Sequence, residues 1–457
     1  MRRLIPLLAV LIIGAAGGDR LLLTDAVRNA DKDALRALLK QGANVNAVEA
    51  DGTTALHWAT YRDDLESADL LIRAGAKVNA ANDLGATPLW TACQNAGAPM
   101  VRKLLQAGAN PNAALLLGET VLMAAAHSGN PEIVEQLVAK GANVNARAAR
   151  GQTALMWAVG QKHSDIVKVL VAHGADVHAR SDEWSQVQAV PPHGLPAYNR
   201  AIPHGADTAL MFAARVGDLA SAKLLVAAGA NVNDADAWGV SATVLAEHSG
   251  FGEIVEFLLD HGADPNAAKA GFTALHEAIM RRDEKTVGAL LAHGADPNAP
   301  LRTWTPTRRS SDDFHFEPEL VGATPFWLAA RFSEPNVMRL LLERGADPLF
   351  VQHAEYFVGL GAEPRTQVTT ALMAATGMGG GSPWVQADSG AREALTLEAV
   401  KLAIELGIDV NAANADGRTA LDAAKALKYE TVVKFLVDKG AKPGVVKKKE
   451  PAPPAAK

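Results

Sequence analysis

The sequence predicts a mainly α-helical solenoid, a stack of short helix–turn–helix units without one central core. Three observations predict it. First, the phrase Gly-Ala-Asn-Val-Asn at Gly42–Asn46 recurs in close variants at Gly75, Gly108, Gly141 and Gly174, each 33 residues after the last. It returns at Gly229, Gly262, Gly294 and Gly345, weakens at Gly407 and ends at Gly440. A fixed period of this size marks stacked repeats. Second, apolar residues inside each copy fall at helical spacing, as at Ile166, Val167, Leu170 and Val171, which lays one buried stripe along a helix. Third, one copy is too small to bury its own apolar face, so stability has to come from stacking.

Residues 151–180 show the unit. Thr153 is placed to cap a short helix that begins at Ala154. Two other copies carry proline (Pro88, Pro325) at the next position, where its missing N–H costs nothing. A turn near Lys162–Ser164 leads to the second helix, and Gly174 ends it where a left-handed residue is needed. The Asp or Asn that follows turns the chain outward towards the next Thr.

These residues closely resemble the ankyrin repeat family. Its pattern G-x-T-P-L-H-x-A-A…GAD-x-N is legible as Gly52-Thr53-Thr54-Ala55-Leu56-His57 with Gly75, as Gly85-Ala86-Thr87-Pro88-Leu89-Trp90 with Gly108, and as Gly271-Phe272-Thr273-Ala274-Leu275-His276 with Gly294. The resemblance spans about residues 20–442. It implies units joined by β-hairpin loops and stacked into a curved, right-handed array of about 10–11 repeats including caps. The family histidine survives only at His57 and His276; Trp90, Met123, Met156, Met211, Val244, Trp327, Met373 or Asp422 replaces it elsewhere. Its hydrogen bonds to the cap threonine are therefore expected to be mostly lost.

Along the chain, residues 1–18 read as a signal peptide and 19–50 as an N-terminal cap repeat. Regular repeats follow at 51–83, 84–116, 117–149 and 150–182, then an insertion at 183–205. Repeats resume at 206–238, 239–270 and 271–302. A second insertion (303–321) precedes a repeat at 322–349, a degenerate repeat at 350–416 carrying two more insertions, a C-terminal cap at 417–443 and a tail at 444–457. The signal reading rests on Arg2-Arg3, an apolar run from Leu4 to Ala16, and small residues Ala15-Ala16-Gly17 at a cleavage point. It predicts a periplasmic or secreted protein with no stable membrane insertion after cleavage; an uncleaved segment anchoring it to the membrane is the alternative. The Lys, Pro and Ala tail reads as disordered.

Composition narrows the function. The chain has 457 residues, 49% apolar, and a net charge of −6. Acids and bases are interspersed without a basic stripe, which argues against nucleic acid as partner. The single cysteine, Cys93, allows no intramolecular disulfide or Cys-rich metal motif. It falls where sister repeats carry Ala126 or Ala214, so it reads as a small buried thiol. His173, His261 and His293 each precede a repeat glycine and form no ligand spacing, and no nucleophile motif occurs. No metal, cofactor or enzymatic activity is expected.

The period breaks in the second half. Insertion 183–205 holds Trp184, Tyr198 and His204; 303–321 holds Trp304, Arg308 and Phe316; 350–369 holds Tyr356 and Phe357; 377–392 holds Trp384. The first three lie between Gly-Ala-Asp and the next Thr, on the hairpin side. The fourth lies between the helices of its repeat, which predicts the opposite edge. Its start, Thr376–Ser382, is rich in glycine but lacks a lysine and a preceding strand, so it reads as a flexible linker rather than a phosphate loop. Insertions gathered on one face often mark a binding face.

The resemblance implies a partner protein, of unknown identity, lying against hairpin tips and the inner face of the first helices. Carried over, the inner positions are Tyr61, Arg62, Gln94, Asn95, His127, Arg215, His248, Arg281, Arg331 and Phe332, and the tips include Leu84, Leu116, Leu117 and Trp238. Trp184, Trp304 and Arg308 in the insertions join them as candidates. Leu115-Leu116-Leu117 fits either an exposed contact patch or an extended core between repeats. The expectation is a monomeric, non-catalytic protein–protein interaction scaffold. The rival is small-molecule or glycan binding by the inserted loops, through Trp184, Trp238, Trp304, Tyr198 and Arg308.

Overall fold

A computed structural model describes residues 18–188, 199–305, 315–358 and 363–445. The apolar run of the signal segment, Tyr198, Arg308 and the tail from 446 onward lie outside the described residues. The fold is a helical repeat solenoid with 22 α-helices among those residues. It divides into two compact units, residues 1–182 with 223–230, and residues 183–222 with 231–457.

The first unit contains five helix pairs: α1 (Gly18–Arg28) with α2 (Lys32–Lys40), α3 (Ala55–Tyr61) with α4 (Leu65–Arg73), α5 (Pro88–Gln94) with α6 (Ala98–Gln106), α7 (Val121–Ser128) with α8 (Pro131–Ala139), and α9 (Ala154–Gly160) with α10 (Ser164–Ala172). The short first helices form because a threonine hydroxyl accepts the N–H three residues on, from Trp90 to Thr87 and from Met123 to Thr120 at 3.2 Å in each case. Leu56, Leu71, Leu89, Leu104, Leu122 and Leu137 are fully buried between pairs.

The recurring phrase has a physical reason. Its last asparagine reaches the next repeat twice: Asn112 donates to the Gly141 carbonyl at 3.0 Å and accepts from the Asn143 N–H at 2.7 Å. Asn46, Asn79 and Asn145 make the same pair of bonds to the repeats that follow them. The repeat glycine itself is left-handed throughout, with φ +86° at Gly141. Hairpin tips are laced as well, Leu116 N–H to Leu84 O at 3.1 Å and Ala149 N–H to Leu117 O at 2.8 Å.

The second unit begins with a two-stranded hairpin, β1 (Trp184–Gln188) antiparallel to β2 (Arg200–His204). Then come α11 (Ala209–Val216) and α12 (Leu219–Ala227), whose residues from Lys223 onward belong to the first unit. Three more pairs follow: α13 (Ala242–His248) with α14 (Gly252–Asp260), α15 (Ala274–Arg281) with α16 (Glu284–Ala292), and α17 (Pro325–Arg331) with α18 (Pro335–Glu343). A second hairpin, β3 (Val351–Val358) against β4 (Glu363–Thr370), precedes α19 (Ala371–Ala375) and α20 (Arg392–Glu405). The unit ends with α21 (Ala420–Leu427) and α22 (Glu430–Asp438). Asn233, Asn266, Asn298 and Asn411 continue the asparagine pattern, and Asn298 still reaches Gly345 at 2.9 Å and Asp347 at 2.8 Å. The insertion at 303–321 therefore leaves that rung intact. Where His178 and Leu349 replace the asparagine, an inserted hairpin follows each time.

The family histidines act as expected. His57 accepts the Thr54 N–H at 3.1 Å and lies 3.0 Å from the Ala86 carbonyl of the next repeat, and His276 stands likewise with Thr273 and Ala299. The loss elsewhere is less complete than the sequence predicts. The sulfurs of Met123 and Met211 accept the Thr120 and Thr208 N–H at 3.5 and 3.4 Å, a weak substitute in the same place.

Candidate functional site

The two units present their inner positions differently. In the first unit Tyr61 is 64% exposed, and Arg62, Gln94, Asn95 and His127 are exposed beside it in successive repeats. Arg62 and Asn95 also tie repeats together: Arg62 donates to the Arg28 carbonyl at 3.0 Å and Asn95 to the Tyr61 carbonyl at 2.9 Å. At the tips Leu84, Leu116 and Leu117 are 66%, 76% and 69% exposed. The backbone bond between Leu116 and Leu84 makes them one apolar ridge. In the three-leucine tip Leu116 and Leu117 are thus an exposed patch, while Leu115 is half-buried.

In the second unit the chain covers its own inner positions. Residues 376–391, between α19 and α20, fold back as a strap. Arg331 donates to the carbonyls of Gly380 and Gly381 at 2.7 and 2.8 Å. Trp384 donates its backbone N–H to Met280 O at 2.9 Å and its indole N–H to His315 O at 3.0 Å. This corrects two expectations, that the segment stays at the opposite edge and that its glycines form a flexible linker. The glycines are there for close approach. A Cβ on Gly379 (φ +107°) would meet the Trp327 ring at 2.5 Å, and one on Gly381 (φ +68°) would meet Leu320 at 2.5 Å. Arg331 is half-buried and Phe332 is 5% exposed, so neither stands as a free inner-face anchor. Arg281 is half-buried too and donates to the His248 carbonyl at 3.0 Å. Arg215 remains exposed but pairs with Asp207 at 2.7 Å.

Strap and second insertion together wall a cavity of about 220 Å³. Phe316, fully buried, lies 5.2 Å from the Phe272 ring and 5.3 Å from Trp384. Trp384 stands edge-on to His248 at 5.1 Å, and Trp238 edge-on to Phe272 at 6.4 Å. Asp236, Glu277 and Thr305 also line it. Glu277 is buried and holds His248 Nδ1 at 3.1 Å. Burial holds the carboxyls of both Asp236 and Glu277 above the usual carboxylate range. Of the residues singled out from sequence, the tip residue Trp238, the inner-position residue His248 and the insertion residues Phe316 and Trp384 belong to this cavity. Trp184 instead stacks on His204 at 4.4 Å and Trp304 is half-buried away from it.

A second cavity, about 210 Å³, lies under the strap between Arg282, Arg331, Arg392 and Tyr429. Its guanidinium groups are engaged by main-chain carbonyls, Arg282 by Phe332 at 2.6 Å and Arg392 by Ala387 at 3.1 Å. Among the described residues, no three His, Cys, Asp or Glu side chains are grouped to hold a metal ion, and no helix is long and apolar enough to cross a membrane. Cys93 is fully buried, and burial pushes its thiol pKa up.

The helix pairs, threonine caps and asparagine rungs define a class, the helical repeat proteins that act through surface. The particular family is then plain: the chain belongs to the ankyrin repeat family. The description "ankyrin repeats (3 copies)" matches residues 23–115, 100–181 and 208–300, and "ankyrin repeat" matches 321–352. The first two insertions fall in the gaps between these matches. Ankyrin repeats are in general protein–protein interaction modules and non-catalytic scaffolds.

Proposed function

We propose that this protein is an exported, non-catalytic scaffold that binds a partner protein on the inner face and tips of its first unit. The observation that carries this reading is the exposed ridge of Leu84, Leu116 and Leu117, together with the open inner positions Tyr61, Gln94 and His127 of the same unit. Contiguous exposed apolar surface on a folded protein marks an interaction site, and large side chains such as Tyr61 are favoured anchors. The second unit supports the choice by contrast, since its own strap lies over Arg331 and Phe332. Export rests on the charged and apolar pattern of residues 2–17.

The test is crosslinking capture from the cell-envelope fraction with the full-length protein and with a Leu84→Lys/Leu116→Lys/Leu117→Lys variant. A stoichiometric protein captured by the first and lost with the second is expected. No partner, or one indifferent to the ridge, contradicts the assignment. Mass spectrometry of the purified protein's N-terminus checks export, with cleavage after Gly17 expected.

A further inference from the structure

Two acids in the second unit occupy places where the repeat does not need them. Asp236 staples a hairpin tip, its Oδ1 accepting the Trp238 N–H at 2.9 Å and the Val240 N–H at 2.8 Å. Asn82 makes the same pair of bonds at 3.1 and 2.9 Å, and so does Asn414. Leu115 and Ala148 hold the same turn with no side-chain acceptor, so the turn has no need of a charge. Glu277 sits at a first-helix position that other copies fill with uncharged residues, among them Trp58, Thr91, Ala124, Trp157, Phe212 and Leu328. A carboxyl there is 1% exposed, and burying one is costly without a compensating charge. Both acids line the same cavity, and the rings of Trp238, Phe272, Phe316 and Trp384 surround it.

We infer that this cavity binds a compact organic cation of the alkylammonium class, held against the aromatic rings with Asp236 and Glu277 as counter-charges. Aromatic faces attract a cation through their quadrupole, most strongly where water is excluded. The volume, about 220 Å³, exceeds the roughly 150 Å³ that suffices for a benzene-sized guest. It is below the usual range of about 300–1,000 Å³ for drug-sized ligands, so the guest is a small headgroup. His248 already partners one oxygen of Glu277 at 3.1 Å, which leaves Asp236 as the principal charge facing the guest. Three separate parts of the chain build the wall: the tip at Trp238, the second insertion through Phe316 and the strap through Trp384. The insertions thereby acquire a joint purpose that none has alone.

The experiment titrates the full-length protein with choline chloride, against sodium chloride at matched ionic strength, following tryptophan fluorescence and calorimetric heat. Its neutral isostere 3,3-dimethyl-1-butanol is run in parallel. Saturable choline binding, at least tenfold tighter than the alcohol, is expected. Asp236→Asn should weaken choline at least fivefold without moving the melting temperature, because Asn82 and Asn414 show that asparagine keeps the turn. Trp238→Leu should weaken it further. Co-sedimentation with phosphatidylcholine vesicles as well as free choline assigns the cation to a lipid headgroup; free choline alone assigns it to a soluble molecule. Equal affinity for choline and the alcohol, no binding of either, or an Asp236→Asn variant that binds as well as the parent overturns the inference. None of these outcomes depends on the partner captured by the first unit.

Discussion

Replacing Asn112 by alanine tests the asparagine rungs most directly. The side chain spans two repeats with two hydrogen bonds, 3.0 Å to the Gly141 carbonyl and 2.7 Å from the Asn143 N–H. Each such bond contributes about 0.5–1.5 kcal/mol net, so losing both should cost about 1–3 kcal/mol. The site is exposed, and water can replace each partner, which puts the expectation near the lower end. Asn112→Asp keeps the acceptor and loses the donor, so it should cost about half as much. Because a two-unit chain need not unfold in one step, the better assay is amide hydrogen exchange. Protection at Asn143 and its neighbours should fall by about fivefold or more in Asn112→Ala, and urea denaturation should shift its midpoint with the slope unchanged. A change below 0.5 kcal/mol, with Asn143 protected as before, would falsify the claim that this residue couples repeats.

Gly379→Ala should lower the melting temperature of the second unit, since a Cβ would meet Trp327 at 2.5 Å and φ is +107°. The expected cost is about 1–3 kcal/mol, and Gly390→Ala, where φ is ordinary, should be neutral in the same thermal scan. Burial and then Asp283 push the Glu247 carboxyl up to about 8, against an ordinary 4.5. The folded state thus keeps a proton that the unfolded chain has released, so stability falls as pH rises from about 4.5 to 8, by up to about 1.4 kcal/mol per pH unit for one group. Glu334, raised by burial to about 8, adds in the same direction. Glu247→Gln should flatten this profile, with its gain over the parent growing from pH 5 to pH 8 in denaturant titrations; a pH-independent difference would count against the buried-acid account. Cys93 should ignore a thiol reagent in the native protein and react fully once urea unfolds the first unit; prompt labelling without denaturant would contradict its burial.

Much of the array was legible because its signals are local. The glycine, the threonine cap and the helical stripe are each fixed within a few residues of the bond they make. The asparagine's partner lies 29–31 residues on, which the period itself supplies. The cavity was not legible in the same way. Phe316, Trp384 and Phe272 meet only after two insertions fold, and Gly379–Gly381 read as a flexible linker until Arg331 and Trp327 close on them. Arg331 and Phe332 looked like free anchors because the sequence does not show what covers them. Glu277 left a trace that could have been read, an acid standing where sister copies carry Trp, Phe, Leu, Thr or Ala, whereas the place of Asp236 holds Glu49 in another copy. The leucines at 115–117 supported two readings, and only the exposure of Leu116 and Leu117 separates them.

The strap changes how the second unit should come apart. In a linear array each repeat touches only its neighbours, so the ends fray one repeat at a time. Here the segment before α20 is bonded to Met280 on α15, to Arg331 on α17 and to His315 in the intervening insertion. A chain of pairwise links becomes a closed circuit. Melting α19 and α20 alone would also break the contact with α15, two helix pairs away, and that of Trp384 with His248 on α13, three pairs away, so helices α13 to α20 should open as one cooperative block while α21 and α22 remain free to fray.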